Sequence, residues 1–517
     1  VSSKFKVLGF ENQNIILTST SSSPNVDDTS SWWTLKSSDS CNFDEFQNVS
    51  ICYSTASPKI ERIWPISVTE NPVMSTSGWF FRTFYWIGKE SSSWLEPKNW
   101  STSENAPFTE SPTTPDFERS VSEIVILSDT KNNLSITNQD FSENLQIKTL
   151  TINEDAEIYL SDKNISCDED FINYGKVVYT KDGRITNNDP SPLPINDTAN
   201  GGTVEYKSDE SDTTIYTITG FSEGLDYHNV IISSGNWEIN SEINTKNNFE
   251  SLVENLSTSK NIISGNNLTI NCLEISDSIS LTSKNALIKS NISASSEGLS
   301  LSFVQTGTEE TDKFTFQNET LDTPISLGSE TTPFSSLSFS ENSKVDFISP
   351  LKIYADYFDV NFSLNLNNET EFFTDNFSAN EQKISSSENA ELTINKKQDS
   401  SLATFGTENA GSAFTNKLNS LTLNIESTIH GDNKIDTLTI NEQSTIHGNN
   451  EIETLTINEQ STFTGNNTFT NVDIFASSTF TNSNSFDSLS IVDNSDEVNL
   501  LPQITVKFAE GKTQKVS

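Results

Sequence analysis

Lys434-Ile-Asp-Thr-Leu-Thr-Ile-Asn-Glu-Gln-Ser-Thr-Ile-His-Gly-Asn-Asn450 is followed at once by Glu451-Ile-Glu-Thr-Leu-Thr-Ile-Asn-Glu-Gln-Ser-Thr-Phe-Thr-Gly-Asn-Asn467, a second copy displaced by 17 residues. Looser copies flank the pair. From 418 to 492, Leu421, Leu438, Leu455, Val472 and Leu489 fall in step, and so do Leu423, Ile440, Ile457, Ile474 and Ile491. Two more apolar columns run through Ile429, Ile446, Phe463, Phe480 and through Ile435, Ile452, Phe469, Phe486. A period this short is the signature of a solenoid. Leu438 and Ile440 are separated by Thr439 alone, which is the period of a pleated strand and not of a helix. Gly431, Gly448 and Gly465 open a repeated Gly-Asx-Asn turn, where left-handed backbone angles and local hydrogen bonds are needed.

The predicted fold is therefore all-β: a right-handed parallel β-helix, or β-solenoid, with a tryptophan-rich, non-repetitive β segment at the N-terminus. Stacked coils set like residues one strand spacing apart, so matching apolar columns fill the bore. Asn433, Asn450, Asn467 and Asn484 form a polar column as well. Pointing inward they would bond along the axis as a ladder; pointing outward they would be solvated turn residues.

Only 33% of the 517 residues are hydrophobic, which is thin for large globular cores but fits a bore one side chain wide. Apolar alternation continues along most of the chain and 10% of it is aromatic, which argues against disorder. The chain carries 31 Lys and Arg against 72 Asp and Glu, a net charge of −41, so nucleic acid is not an expected partner. No cofactor is expected, with calcium left open by the acidic side chains although no Asp-x-Asp-x-Asp-Gly loop is present. No stretch is long and apolar enough for a membrane span. Cys41 and Cys52 are close enough in sequence for a hairpin disulfide, while Cys167 and Cys272 read as reduced bore residues.

Organisation follows the tryptophans. Seven of the eight precede residue 101. Residues 1–83 read as a non-repetitive β segment, 84–121 as a Trp-rich cap or linker, and 122–517 as solenoid, most regular at 418–492. The phrase Ile147-Lys-Thr-Leu-Thr-Ile-Asn-Glu154 already carries the grammar of Ile435 to Glu442. At roughly 20 residues and about 4.8 Å per coil, the solenoid would be on the order of 90 Å long.

Tyr85-Trp-Ile-Gly-Lys-Glu-Ser-Ser-Ser-Trp94 and Pro97-Lys-Asn-Trp-Ser101 resemble the Trp-x-Gly…Trp…Asn-Trp-Ser signature of large bacterial surface proteins of the filamentous-haemagglutinin and autotransporter-adhesin type. Gly202-Thr-Val-Glu-Tyr206 and Tyr227-His-Asn-Val-Ile-Ile232 are similar to phrases of the same group. The resemblance implies a secreted or surface-displayed protein, and Trp86, Gly88, Trp94, Asn99 and Trp100 as the residues that carry the signature. They read as a structural cap over a solenoid end, with a sugar-stacking platform as the alternative. The tail Phe508-Ala-Glu-Gly-Lys-Thr-Gln-Lys-Val-Ser517 is similar to what would precede the head of such a unit. The chain is thus expected to be one phase of a longer tandem array.

The function expected is a non-catalytic adhesin or rod-like stalk that presents polar faces and loops to a glycan or protein of a host or neighbouring cell. A structural filament or envelope fibre assembling end to end is the alternative, and a polysaccharide-cleaving enzyme comes third. Enzyme chemistry has little to stand on. Only Arg62, Arg82, Arg119 and Arg184 occur, and the carboxylates are too scattered to argue a pair from spacing. His430 and His447 stack one coil apart, but two imidazoles alone make a poor metal site. The repeated Thr437-Leu-Thr439 and Thr454-Leu-Thr456 resemble ice-binding faces and end at Asn471-Val-Asp473; exposed strands favour Thr in any case.

Overall fold

The computed structural model describes residues 83–101, 115, 123–187, 201–218, 227–406, 417–492, 504–508, 510 and 514–516, with short gaps at 138–143, 219–226 and seven places between 241 and 400. Before residue 82 it describes the backbone of seven strands. Cys41 and Cys52 lie outside the described residues. No α-helix occurs among those described, so none is long and apolar enough to cross a membrane. The protein is a β-solenoid of parallel, stacked coils. It divides into two compact units, Val1–Asn236 and Trp237–Ser517.

In the first unit, the chain alternates between two parallel sheets. One contains Thr83–Trp86, Glu123–Ile126, Leu145–Ile152, Ile165–Asn173 and Ile185–Asn187 in that order. The other stacks Leu134–Ile136, Glu157–Leu160, Lys176–Tyr179, Thr203–Lys207 and Tyr227–Ser234. Strict alternation faces Ile124, Ile126, Leu134, Ile136, Leu145, Ile147, Ile158 and Leu160 into the space between the sheets, all fully buried. Thr83–Trp86 is already a rung of this stack. Before it, Lys4–Leu8 pairs with Asn42–Gln47, Ile15–Leu17 with Val49–Ile51, and Trp33–Lys36 with Ser54–Ile63, all parallel. Three strands in series thus meet the next three in the same order. Their unequal spacings hide any repeat from the sequence, which is why this stretch reads as non-repetitive.

The second unit shows how coil length selects the core. Between Ser300–Gln305 and Phe334–Phe339 the register advances by a long coil, Leu301 facing Leu337, with the strands Phe314–Phe316 and Ile325–Leu327 inside it. A longer coil encloses a wider bore, and phenylalanine fills it. Phe303 stacks on Phe339 with centroids 4.7 Å apart, and Phe316, Phe347, Phe358, Phe362 and Phe372 continue the packing edge to face and tilted. From Lys417–Asn424 to Asn484–Ile491 each coil steps by 17 residues, and the bore is filled by Leu and Ile, joined by Phe463, Phe469, Phe480 and Phe486 in the later coils. Leu421 faces Leu438, Leu438 faces Leu455, and Leu455 faces Val472. Each fully buried aliphatic side chain contributes about 1.5–3 kcal/mol.

One end of two predicted columns departs from expectation. Leu489 is half-buried and Ile491 is 52% exposed. The strand Asn484–Ile491 is paired on its outer side only at Asn484, Ser485 and Phe486, against Gln514–Val516. No described strand covers Leu489 or Ile491, so burial, which depends on the next coil, is lost there.

Candidate functional site

The tryptophan signature folds into a plug whose every member has a structural partner. Trp86, Trp94 and Trp100 are fully buried; Trp100 meets Trp94 and Trp86 edge to face at 4.7 and 5.0 Å. Trp86 Nε1 donates to Asn132 O at 2.9 Å, and Trp100 Nε1 to Trp94 O at 2.8 Å. Asn99 is buried with both ends of its amide used: Oδ1 accepts from the Glu90 and Ser91 amides, and Nδ2 donates to Ser91 Oγ and Ser93 O. Gly88 has φ +56°, and a Cβ there would lie 2.1 Å from Asn132 O. Burial leaves no aromatic face open to a sugar, so the stacking-platform alternative fails on accessibility.

The Asn column faces inward. Asn433, Asn450, Asn467 and Asn484 are all buried, and each Nδ2 donates to Oδ1 of the next at 2.8, 2.9 and 3.0 Å. The same oxygens accept the backbone N–H one coil below, at 3.1, 3.0 and 3.2 Å. Sequence reasoning missed a second inward polar column. Ser427, Ser444, Ser461 and Ser478 are buried, each donating to the carbonyl two residues earlier. Its signal was its own 17-residue period.

The outer faces offer the surface on which a partner could sit. On one, His430 and His447 stack with centroids 4.8 Å apart and planes within 5°, and His447 Nδ1 lies 2.7 Å from Thr464 Oγ1. Beside them Thr404, Thr428, Thr445, Thr462 and Thr479 face one another in unbroken register. No group of three or more His, Cys, Asp or Glu fit to hold a metal occurs among the described residues.

On the other face, three outward columns run together. Ser420, Thr437, Thr454 and Asn471 form the first; Thr393, Thr422, Thr439 and Thr456 the second. The third is an amide ladder in which Asn458 donates to Asn441, Asn441 to Asn424 and Asn424 to Asn395, at 2.6, 2.7 and 2.7 Å. Below Asn395 the same column continues as Phe373 and Tyr354, whose rings stack at 4.6 Å and 8°. The Thr-x-Thr pairs are thus the middle of a larger hydroxyl and amide array.

The first unit has a charged column. Lys176 Nζ lies 2.6 Å from Glu157 and 3.0 Å from Glu205; Tyr159 donates to Glu157 and Ser233 to Glu205. Burial alone would raise the Glu157 pKa, but the bonds from Lys176 and Tyr159 outweigh it and hold the carboxyl below its usual range. For Lys176, burial pulls down and the two carboxylates pull up harder, leaving a firmly charged ammonium. Glu157 and Lys176 thus hold opposite charges against one another. Nearby, Arg184 lies over the rings of Tyr179 and Tyr206 and donates to the carbonyls of Lys181, Gly183 and Thr217, as a bore residue. Cys167 is free and buried, its thiol pushed up by burial; Cys272 is free and half-buried.

No family model, no curated protein and no solved structure matches this chain. What the molecule does must therefore be argued from its own surfaces.

Proposed function

We propose that the chain is a binding rod of a secreted or surface-displayed protein, acting as an adhesin or stalk and not as an enzyme. The observation that carries this reading is the outer array of the second unit. Hydroxyl and amide side chains from successive coils repeat there at one strand spacing, on a backbone whose bore is solid with side chains. Such a surface is stiff and regular, suited to many weak polar contacts spread along a length. The charged trio of the first unit, with both carboxylates tied to one ammonium, is a poorer basis for hydrolysis than for structure. The resemblance of the Trp86 to Ser101 stretch to surface adhesins supports the location.

The test is adhesion by the purified chain. Immobilised protein should retain cells or extracellular matrix saturably, while sedimentation shows discrete particles. Loss of all retention, with sugar release from polysaccharides at catalytic rates, would replace this reading by the enzymatic one. Partner-free polymerisation would replace it by the fibre.

A further inference from the structure

Above Phe373 the array is a narrow uncharged stripe on a strongly acidic chain. Thr393, Asn395, Ser420, Thr422, Asn424, Thr437, Thr439, Asn441, Thr454, Thr456 and Asn458 face outward over four rungs with no ionisable group among them, while the whole chain carries a net charge of −41. Charges border it on every side: Asp436 and Glu453 stand next to Thr437 and Thr454, Glu442 and Glu459 follow Asn441 and Asn458, Glu391 and Lys396 flank the lowest rung, Lys352 pairs with Glu371 below, and Asp473 lies in the rung above.

Asn424 and Asn441 each spend one N–H and one lone pair on their neighbours, leaving one of each, while the end members Asn458 and Asn395 spend only an N–H and a lone pair respectively. The ladder also fixes the direction of every amide, so donors and acceptors recur outward in a constant order. At the foot of the column stand the only stacked rings of this face among the described residues. Leu327 faces Ile353, which sets Gly328 opposite Tyr354. Gly328 has no side chain and sits at φ +76°, so the ring face of Tyr354 turned away from Phe373 has no side chain stacked on it from that position.

We infer that this face binds a neutral glycan, its hydroxyls on the Thr and Asn columns and one sugar ring against Tyr354. Three features select that class. A polyanion would meet the negative field of the chain with no cationic cluster to offset it. An apolar peptide would leave the amides unpaired. A sugar supplies hydroxyls that both donate and accept, together with C–H faces that pack on an aromatic ring. This rests on the adhesin reading and names its ligand.

The experiment applies the full chain to immobilised neutral polysaccharides (cellulose, mannan, β-1,3-glucan, galactan) and to heparin and polysialic acid, alongside the adhesion assay. Binding to at least one neutral glycan is expected, with loss of about tenfold or more in Tyr354→Ala and in the double variant Thr439→Val/Thr456→Val. Valine keeps the shape of threonine, so melting curves should stay near wild type. Thr445→Val/Thr462→Val on the opposite face should leave binding unchanged. Binding confined to heparin or polysialic acid, equal loss on both faces, or no binding to any of the neutral glycans would overturn the inference. Adhesion to cells that persists after enzymatic removal of their glycans would do so too while leaving the adhesin reading intact. Loss of adhesion altogether would remove both.

Discussion

Single residues decide whether coils can stack. Gly465 has φ +112°, and a Cβ there would come within 1.8 Å of Gly448 O. Gly465→Ala must therefore push two turns apart, and we expect a loss of about 2–4 kcal/mol in urea unfolding. Asn450 holds the Asn433 amide and side chain through one oxygen. Asn450→Ala leaves those two donors buried and unmet, at a cost of about 3 kcal/mol. A loss under about 0.5 kcal/mol would mean that water replaces the amide and the ladder is not closed. Both residues were legible in the sequence because the period repeats them. Whether the Asn column pointed in or out was not, since turn and ladder use the same letters. The inward Ser column went unread for a related reason: Ser at a strand position suggests solvent until the carbonyl it bonds is seen.

At the scale of the element, each coil interacts chiefly with the coils above and below. Deleting 434–450 should let Lys417–Asn424 stack directly on Glu451–Ile457, since Leu421, Leu438 and Leu455 occupy one column. The shortened protein should keep its β circular-dichroism signal and lose only one coil's share of stability. Deleting 434–441, about half a coil, should instead collapse cooperative unfolding, because the strands and turns of successive coils no longer line up. In the first unit, the coupling is electrostatic. Glu157 has a depressed pKa, so its contribution is complete above the ordinary carboxyl range, near pH 4.5, and fades as pH falls through its folded value. Lys176→Met should therefore lower the thermal midpoint at pH 7, by a difference that shrinks as pH falls below the ordinary carboxyl range; a difference that stays constant across the acid range would assign the effect to packing. The 17-residue coils were plain from sequence alone because one coil is one repeat. The long coil through Phe303 and Phe339 was not, since its length differs from its neighbours', and the outward Phe373 and Tyr354 lie two and three rungs before the 17-residue coils begin.

For the molecule as a whole, the claim is that distance along the axis counts coils and not residues. Glu371, Thr393, Thr422, Thr439, Thr456 and Asp473 are consecutive members of one outward column. Five rungs of about 4.8 Å place the first and last about 24 Å apart. Pulsed electron–electron resonance between nitroxides at Glu371→Cys and Asp473→Cys, in a chain whose native cysteines are serine, measures that span directly. A narrow distribution near about 24 Å, shortened by about one rung in the 434–450 deletion, is the result predicted. A broad distribution centred well beyond it, or one unmoved by the deletion, would contradict the stacked-coil account.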